Sequence, residues 1–312
     1  MRTEYSFDRE HTPLIGAAEH LDKGLRVVTA PNGGPMTYTG SRSYLLGQGE
    51  VALIDPGPDN AAHFEALLAA LTPDERISHV FVTHSHLDHS GLAPRIGAHF
   101  GAKTHAFGDW QAGRSEMMRS LATDNVGGGE GVDRVFRPDI ELQDGETLVG
   151  DSWELQVVHT PGHMGNHISF ASPAHNALFS GDHVMGWSTT LVSPPDGDLT
   201  DFMASLVRLQ TRSETVYYPG HGAPINDPGR LVAHLRAHRQ MRETQILAAL
   251  GHDGRTTQDI THAVYRDIAP YLHPAAQRNV LAHLIDLYSR GIVAPIDSLS
   301  TNSRFRLKPA EN

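Results

Sequence analysis

The 312-residue chain is 39% hydrophobic and 20% charged, which excludes global disorder and allows one large α/β domain, with or without a small appendage. It holds no cysteine, so disulfides, thiolate metal ligands and a cysteine nucleophile are excluded. The net charge is −11, but residues 223–312 carry eleven Lys/Arg against eight Asp/Glu, so the first 222 residues carry −14; the acidic body argues against broad nonspecific contact with nucleic acid and leaves only the tail as an opening for it.

The first residues, MRTEYSFDRE, are charged from the start, and no later run reaches the length of a membrane span, so a cytoplasmic protein without membrane contact is expected. Residues 42–55 (RSYLLGQGEVALID) read as two short strands joined by a glycine-containing turn. A helical stretch follows over 60–71. Then ISHVFVT (77–83), rich in β-branched residues, reads as a strand that runs into THSHLDHSG and a second helix over 92–100. This alternation is βαβ-like. The stretch 108–133 breaks it: it contains VGGGEG (126–131), shows little periodicity and reads as a mobile insertion.

Strand signals resume in WELQVVHT (153–160), HISFAS (167–172), ALFSGD (177–182) and ETVYYPGHG (214–222). The recurring theme is an apolar strand ending in a polar loop that carries His or Asp. Residues at strand ends converge on one edge of a sheet, where sites are usually built. The tail reads as a long helix over 230–250, a second helix with Thr257 as its N-cap, a third over 275–291 closed by Gly291, and a short RFRL strand. That pattern suggests a small winged-helix-like unit and a division into residues 1–225 and 226–312.

Histidine is the compositional outlier, at 21 residues. The sharpest cluster is His84-Ser85-His86-Leu87-Asp88-His89, three imidazoles and one carboxylate directly after a strand. Neutral imidazole and carboxylate suit zinc, and also manganese or iron. Downstream, His163 stands in TPGH, Asp182 in SGD and His221 in PGHG. Alone, these have plain readings: turn histidines beside glycine and a strand-end cap. Beside the run at 84–89 they read as further ligands. The isolated His63, His79, His99, His105, His175, His234 and His252 read as surface or satisfied core residues. His167 and His183, close to ligands in sequence, are secondary candidates for contact with substrate or with the ligands from behind.

The set resembles the metallo-β-lactamase superfamily, whose HxHxDH motif stands intact at His84–His89, with His163, Asp182 and His221 in matching order and spacing. The resemblance implies an α/β fold of the αββα sandwich type and two divalent metal ions, zinc first, with manganese or iron as alternatives. By that likeness His84, His86 and His163 hold the first ion, Asp88, His89 and His221 the second, and Asp182 bridges both. Asp88 would also orient the attacking hydroxide. Asp55 in LIDPG would fix the ligand rings from behind, with a plain turn residue as the alternative. Two dications roughly 3.5–4 Å apart share a water and lower its pKa toward neutrality, so no serine or cysteine nucleophile is required. The true β-lactamases lack a bridging aspartate, so antibiotic cleavage is not the expected main task.

Residues 181–209 and 217–247, with the winged-helix tail, are similar to the β-lactamase-like protein 2 family. That similarity implies a metal-dependent hydrolase and puts cleavage of a phosphodiester such as single-stranded RNA first. The alternatives are a glyoxalase II-like thioester hydrolase acting on acyl-glutathione or acyl-CoA, which shares the same seven ligands, and a nucleic-acid-binding module on a metal-binding scaffold. The tail could also serve a homodimer. The insertion at 108–133 departs from the family pattern. Arg114, Arg119, Arg134 and Arg137, in or beside it, read as solvated loop residues, with a phosphate or carboxylate clamp as the functional alternative.

Overall fold

A computed structural model describes residues 5–123, 126–251, 253–297 and 299–308, which leaves His252 outside the described residues. The first sheet holds β1 (Ala18–Asp22), β2 (Leu25–Thr29), β3 (Arg42–Leu46), β4 (Glu50–Ile54), β5 (Arg76–Phe81), β6 (Lys103–Ala106) and β7 (Ile140–Glu141), in that spatial order. Its pairing is antiparallel from β1 to β4 and parallel from β4 to β7. The second sheet holds β8 (Thr147–Val149), β9 (Glu154–His159), β10 (Ile168–Ser172), β11 (Ala177–Gly181) and β12 (Val216–Pro219), ordered β12-β11-β10-β9-β8. Only β11 and β12 pair in parallel there.

The strands sort their side chains between two faces because successive residues point to opposite sides. In β3, Tyr44 and Leu46 turn toward the second sheet, where they join Phe81, Phe170 and Phe179 in one buried cluster. Leu45 turns the other way, with Val51 and Leu53 of β4, onto Phe64 and Leu67 of α1 (Ala61–Ala69) and Ile96, which lies on a later helix. Strands buried on both faces carry near-continuous apolar runs; LRVVT in β2 is buried at all five positions. The far side of the second sheet is covered by Phe202 and Leu206 from Leu199–Leu209, and by Leu231, Val232 and Leu235 from the helix Pro228–Leu250. The layering is the expected αββα sandwich.

The remaining helices are α2 (Leu87–Ser90), α3 (Ala93–Phe100), α4 (Glu116–Thr123), α5 (Leu199–Leu209), α6 (Pro228–Leu250), α7 (Thr257–Val264) and α8 (His273–Ser289). Three short strands, β13 (Arg255–Thr256), β14 (Val293–Pro295) and β15 (Arg304–Leu307), form a small sheet beside α7 and α8. Ile246 and Leu250 at the end of α6 pack there with Ile260, Val280, Leu284 and Phe305. Helix α6 therefore contributes its first half to one core and its last turns to another. No helix among the described residues is long and apolar enough to cross a membrane.

Two expectations change. In the stretch 108–133 the described residues, 108–123 and 126–133, are docked, not mobile: α4 buries Met118 and Leu121, and with Val126 they enter the core of the tail. An eight-residue helix with two apolar anchors gives little periodic signal, and its partners lie more than a hundred residues downstream. The cap of α7 is Thr256, not Thr257: the Thr256 hydroxyl accepts from the Asp259 N–H, and the Asp259 side chain answers to the Thr256 backbone, a complete capping box.

His63 shows how burial couples the fold to pH. It is fully buried, with Nε2 at 2.9 Å from Ser43 Oγ. Burial lowers its pKa from 6.5 to about 4, so the unfolded chain takes a proton more readily than the folded one between those values. Its contribution is intact above pH 6.5 and is lost as pH falls toward 4, for about 3 kcal/mol at roughly 1.4 kcal/mol per unit. In His63→Asn the melting temperature should fall less between pH 6.5 and 4 than in the wild type; an equal slope by calorimetry would remove His63 as a contributor.

Candidate metal centre

The site forms where polar loops leave the strands along one edge of the sandwich. The loop after β5 carries His84 and His86, and α2 carries Asp88 and His89. The loop before β10 carries His163, β11 ends one residue before Asp182, and β12 ends two residues before His221. All seven expected residues come together. His84 Nε2 lies 2.9 Å from His86 Nδ1, which lies 3.1 Å from His163 Nε2. Beside them, Asp88 Oδ2 is 3.2 Å from His221 Nε2 and 3.5 Å from His89 Nε2, and the two rings approach to 3.3 Å.

Asp182 stands between the two groups. Its Oδ1 is 3.5 Å from His89 Nε2, and its Oδ2 is 3.4 Å from His221 Nε2 and 3.8 Å from His163 Nε2. Oδ1 is buried and accepts no hydrogen bond among the described residues, which is costly unless a cation fills the role. Three overlapping sets could each hold a metal ion: His84–His86–His163, His84–His89–Asp182 and Asp88–His89–His221. The donors are all imidazole nitrogen or carboxylate oxygen, a set that fits zinc, manganese or iron.

The backs of the rings are fixed. His163 Nδ1 donates to the Leu191 carbonyl at 2.8 Å, and His221 Nδ1 to the Gly40 carbonyl at 3.2 Å. A carbonyl only accepts, so Nδ1 carries a proton in both rings and Nε2 of each is the atom turned to the centre. His89 Nδ1 meets Asp55 Oδ2 at 3.0 Å, and His84 Nδ1 meets Thr83 Oγ1 at 3.0 Å. Asp55 also accepts from the Thr83 N–H at 2.7 Å and from its hydroxyl at 2.8 Å. Its φ of 51° is uncommon for a residue other than glycine, and Asp is one of the few that tolerate it.

Several residues around the site carried no signal in the sequence. Ser41 donates to Asp88 Oδ2 at 3.1 Å, and Asn32 grips Ser41 through both its side-chain amide and its carbonyl oxygen at 2.9 Å. Thr83 is the exception, since it directly precedes the run. Gly220 is a second readable position: a Cβ there would lie 2.3 Å from Asp182 Oδ1 and 2.6 Å from His89 Cε1, so the PGHG turn admits no side chain. His167 and His183 are fully buried. His167 Nε2 accepts from the Asp182 N–H at 3.2 Å, and His183 packs on Phe202 with ring centroids 4.5 Å apart; neither lines the cavity over the site.

The two halves of the cluster differ in charge. Burial, reinforced by His163, lowers the pKa of His86 to about 3. Burial likewise lowers His163 and holds His84 well below the usual range. Burial opposes charge on His221 too, but Asp182 and Asp88 outweigh it and raise that pKa to about 9. His89 is raised in the same way against burial by Asp88, Asp182 and Asp55. One half therefore presents neutral lone pairs, and the other an acid–imidazole pairing whose protons a cation would displace.

The arginines of the insertion do not behave as one group. Arg114 is buried, paired with Asp196 and stacked over Trp110 at 4.7 Å, so it is neither solvated nor free to clamp a substrate. Arg119 donates to the Arg114 carbonyl. Arg134 lies 5.5 Å from the Trp110 ring centroid, and Arg137 pairs with Asp109 at 3.5 Å while staying exposed.

Asp55→Asn tests the orienting contact, since asparagine accepts the same backbone conformation. Metal affinity should weaken by about 10–100-fold in a chelator competition titration of the folded chain. Unchanged affinity would make Asp55 a turn residue only.

Residues 36–221 match the sequence profile of the Metallo-beta-lactamase superfamily, and residues 256–301 that of the Beta-lactamase associated winged helix domain. A Caenorhabditis elegans protein named Beta-lactamase-like protein 2 homolog is 31% identical over 279 residues, 88% of each chain. An Atrochrysone carboxyl ACP thioesterase of Aspergillus fumigatus is 32% identical over 242 residues, 76% of this chain and 68% of that one. Among solved structures, a Beta-lactamase domain protein from Burkholderia ambifaria superposes with a TM-score of 0.80 at 23% identity, covering 96% of both chains.

Proposed function

The chain belongs to the metallo-β-lactamase superfamily of hydrolases, and from that premise we propose that it is a dinuclear, zinc-dependent hydrolase of acyl thioesters. The observation that carries the choice of substrate is the space beside the site. A cavity of about 240 Å³ lies over the cluster, lined by His86, Asp88, His163, Asp182 and His221. It shares Met36, Glu130, Leu191 and Ser193 with a second cavity of about 520 Å³ that runs under the tail. Arg278 is the one Lys or Arg among the described lining residues, and it is committed to Ser193 Oγ and to the Val126 and Pro194 carbonyls. A nucleic acid strand needs several cations for its phosphates. An acyl thioester needs apolar wall, which Met36, Leu191, Pro274, Ala275 and Leu281 supply. The relative from Aspergillus fumigatus, named a thioesterase, supports the same reading.

In this proposal His84, His86 and His163 hold one ion, Asp88, His89 and His221 the other, and Asp182 lies between them. Two cations so held would lower the pKa of a bound water toward neutrality and polarise a thioester carbonyl. Asp88 is partly exposed to the cavity and steadied by Ser41; it orients the attacking water and receives its proton. As the C–O bond forms, the C–S bond breaks, and the departing thiolate takes up the proton held by Asp88 and leaves as the thiol. Leu191 and Gly40, through their carbonyls, keep the His163 and His221 rings from turning.

The test is a hydrolysis panel on protein of measured metal content: acyl-CoA, S-lactoylglutathione, a generic phosphodiester, single-stranded RNA, a lactone and a β-lactam. The thioesters should show the highest kcat/KM. His86→Ala should lose metal and activity together. Turnover of RNA or the phosphodiester without turnover of any thioester would replace this reading with the nucleolytic one.

A further inference from the structure

The segment 190–193 lies between the candidate metal centre and the tail and bonds to both. On the site side, the Leu191 carbonyl accepts from His163 Nδ1 at 2.8 Å. The buried Thr190 hydroxyl shares its proton between the carbonyls of Asp182 at 2.9 Å and His183 at 3.1 Å. On the tail side, Arg239 of α6 donates to the Thr190 carbonyl, and Asn279 Oδ1 of α8 accepts from the Val192 N–H at 3.2 Å. Arg278 Nε donates to Ser193 Oγ at 2.9 Å. Arg239 also donates to Asn279 Oδ1 at 3.0 Å, so one amide oxygen ties α6, α8 and this segment together.

The covalent geometry makes these contacts act on His163. The Leu191 carbonyl and the Val192 N–H belong to one planar peptide unit and point in opposite directions. Asn279 grips one side of that plane and His163 the other. Arg239 holds the preceding plane through the Thr190 carbonyl, so both planes that flank the Leu191 Cα are fixed from the tail. Arg239 is also an expensive residue to keep. It is 3% exposed, burial lowers its pKa from 12.5 to about 10, and no carboxylate among the described residues offsets its charge. A buried cation without a counter-charge costs stability. Its remaining contact is with the Phe202 ring, 5.2 Å from its guanidinium carbon. Phe202 fills the space over Gly162, where a Cβ would lie 2.3 Å from Phe202 Cα. Both routes from Arg239 therefore end at His163, one through Thr190 and Leu191, the other through Phe202 and Gly162.

We infer that Arg239 and Asn279 are positioning residues of the metal centre: they hold the segment 190–193 so that the Leu191 carbonyl keeps His163 Nε2 turned to its ion, and the tail is thereby a working part of the site. The inference rests on the dinuclear half of the proposed function and is independent of the choice of substrate. Groups that hold a ligating imidazole from behind set metal affinity, and here the residues that hold the holder come from helices outside the sandwich.

The experiment measures zinc binding to the folded full chain by chelator competition, well below its melting temperature, and locates the remaining ion at half loading by anomalous diffraction. Wild type should bind two ions. Asn279→Leu removes the acceptor at similar size, and Arg239→Met independently removes the donors. Each should weaken one binding step about tenfold and leave the other unchanged, with the ion that remains among Asp88, His89 and His221. Asn279→Asp keeps an oxygen for both the Val192 N–H and Arg239 and should restore the wild-type affinity. A role in folding alone would lower the melting temperature without this order of affinities. Should Arg239→Met not fold, the two Asn279 variants decide alone. Unchanged affinity in either removal variant, equal weakening of both steps, or Asn279→Asp as weak as Asn279→Leu overturns this inference and leaves the dinuclear reading standing. A wild-type chain that binds fewer than two ions removes that reading and the inference with it.

Discussion

With its Nδ1–H committed to the Leu191 carbonyl, His163 can offer only a lone pair to His86 Nδ1, 3.1 Å away, while His84 Nε2 approaches the same atom at 2.9 Å. One proton cannot pair three such nitrogens. The adjoining Asp182 adds a buried oxygen that makes no hydrogen bond among the described residues. A cation resolves both conflicts at once, because it accepts every lone pair that the protons cannot match. The surrounding structure serves to keep the conflict from relaxing. Asp55, Thr83, Ser41 and two backbone carbonyls hold the ligands from behind, and Gly220 leaves no side chain to push them apart.

The sandwich supplies the rigidity that this arrangement needs. Ligands issue from the ends of β5, β11 and β12 and from the loop before β10, all on strands whose apolar residues are buried. A site built on rigid elements holds its geometry better than one built on free loops. The tail is bound to the same frame. Helix α6 runs through both cores, and the strap from Val126 to Asp133 links α8 to the ligand loop. The space next to the site is therefore shaped by residues far apart in the chain, with Met36 and Leu191 on one side and α8 on the other.

The candidate ligand set was legible in the sequence because it is compact: the run from His84 to His89 is local, and the strand-end positions of His163, Asp182 and His221 follow from alternating apolar patterns. Of the supports only Asp55 was named from the sequence, with Thr83 a near miss. Ser41 stands 47 residues before the carboxylate it touches, and nothing in RSYLL or its flanks marks it. The fate of the insertion was hidden for the same reason. Met118 and Leu121 find their partners on α6, α7 and α8, and Arg114 finds Asp196, none of which is implied by local periodicity. At α7 the error was one residue, since TT offers two equivalent caps until Asp259 selects Thr256.

The most direct measurement is anomalous diffraction from crystals of the zinc-loaded chain, recorded on both sides of the metal edge. The account predicts two ions per chain, roughly 3.5–4 Å apart, one among His84, His86 and His163, the other among Asp88, His89 and His221, with Asp182 touching both. A single ion at full loading, or a second ion placed away from Asp182, would contradict it.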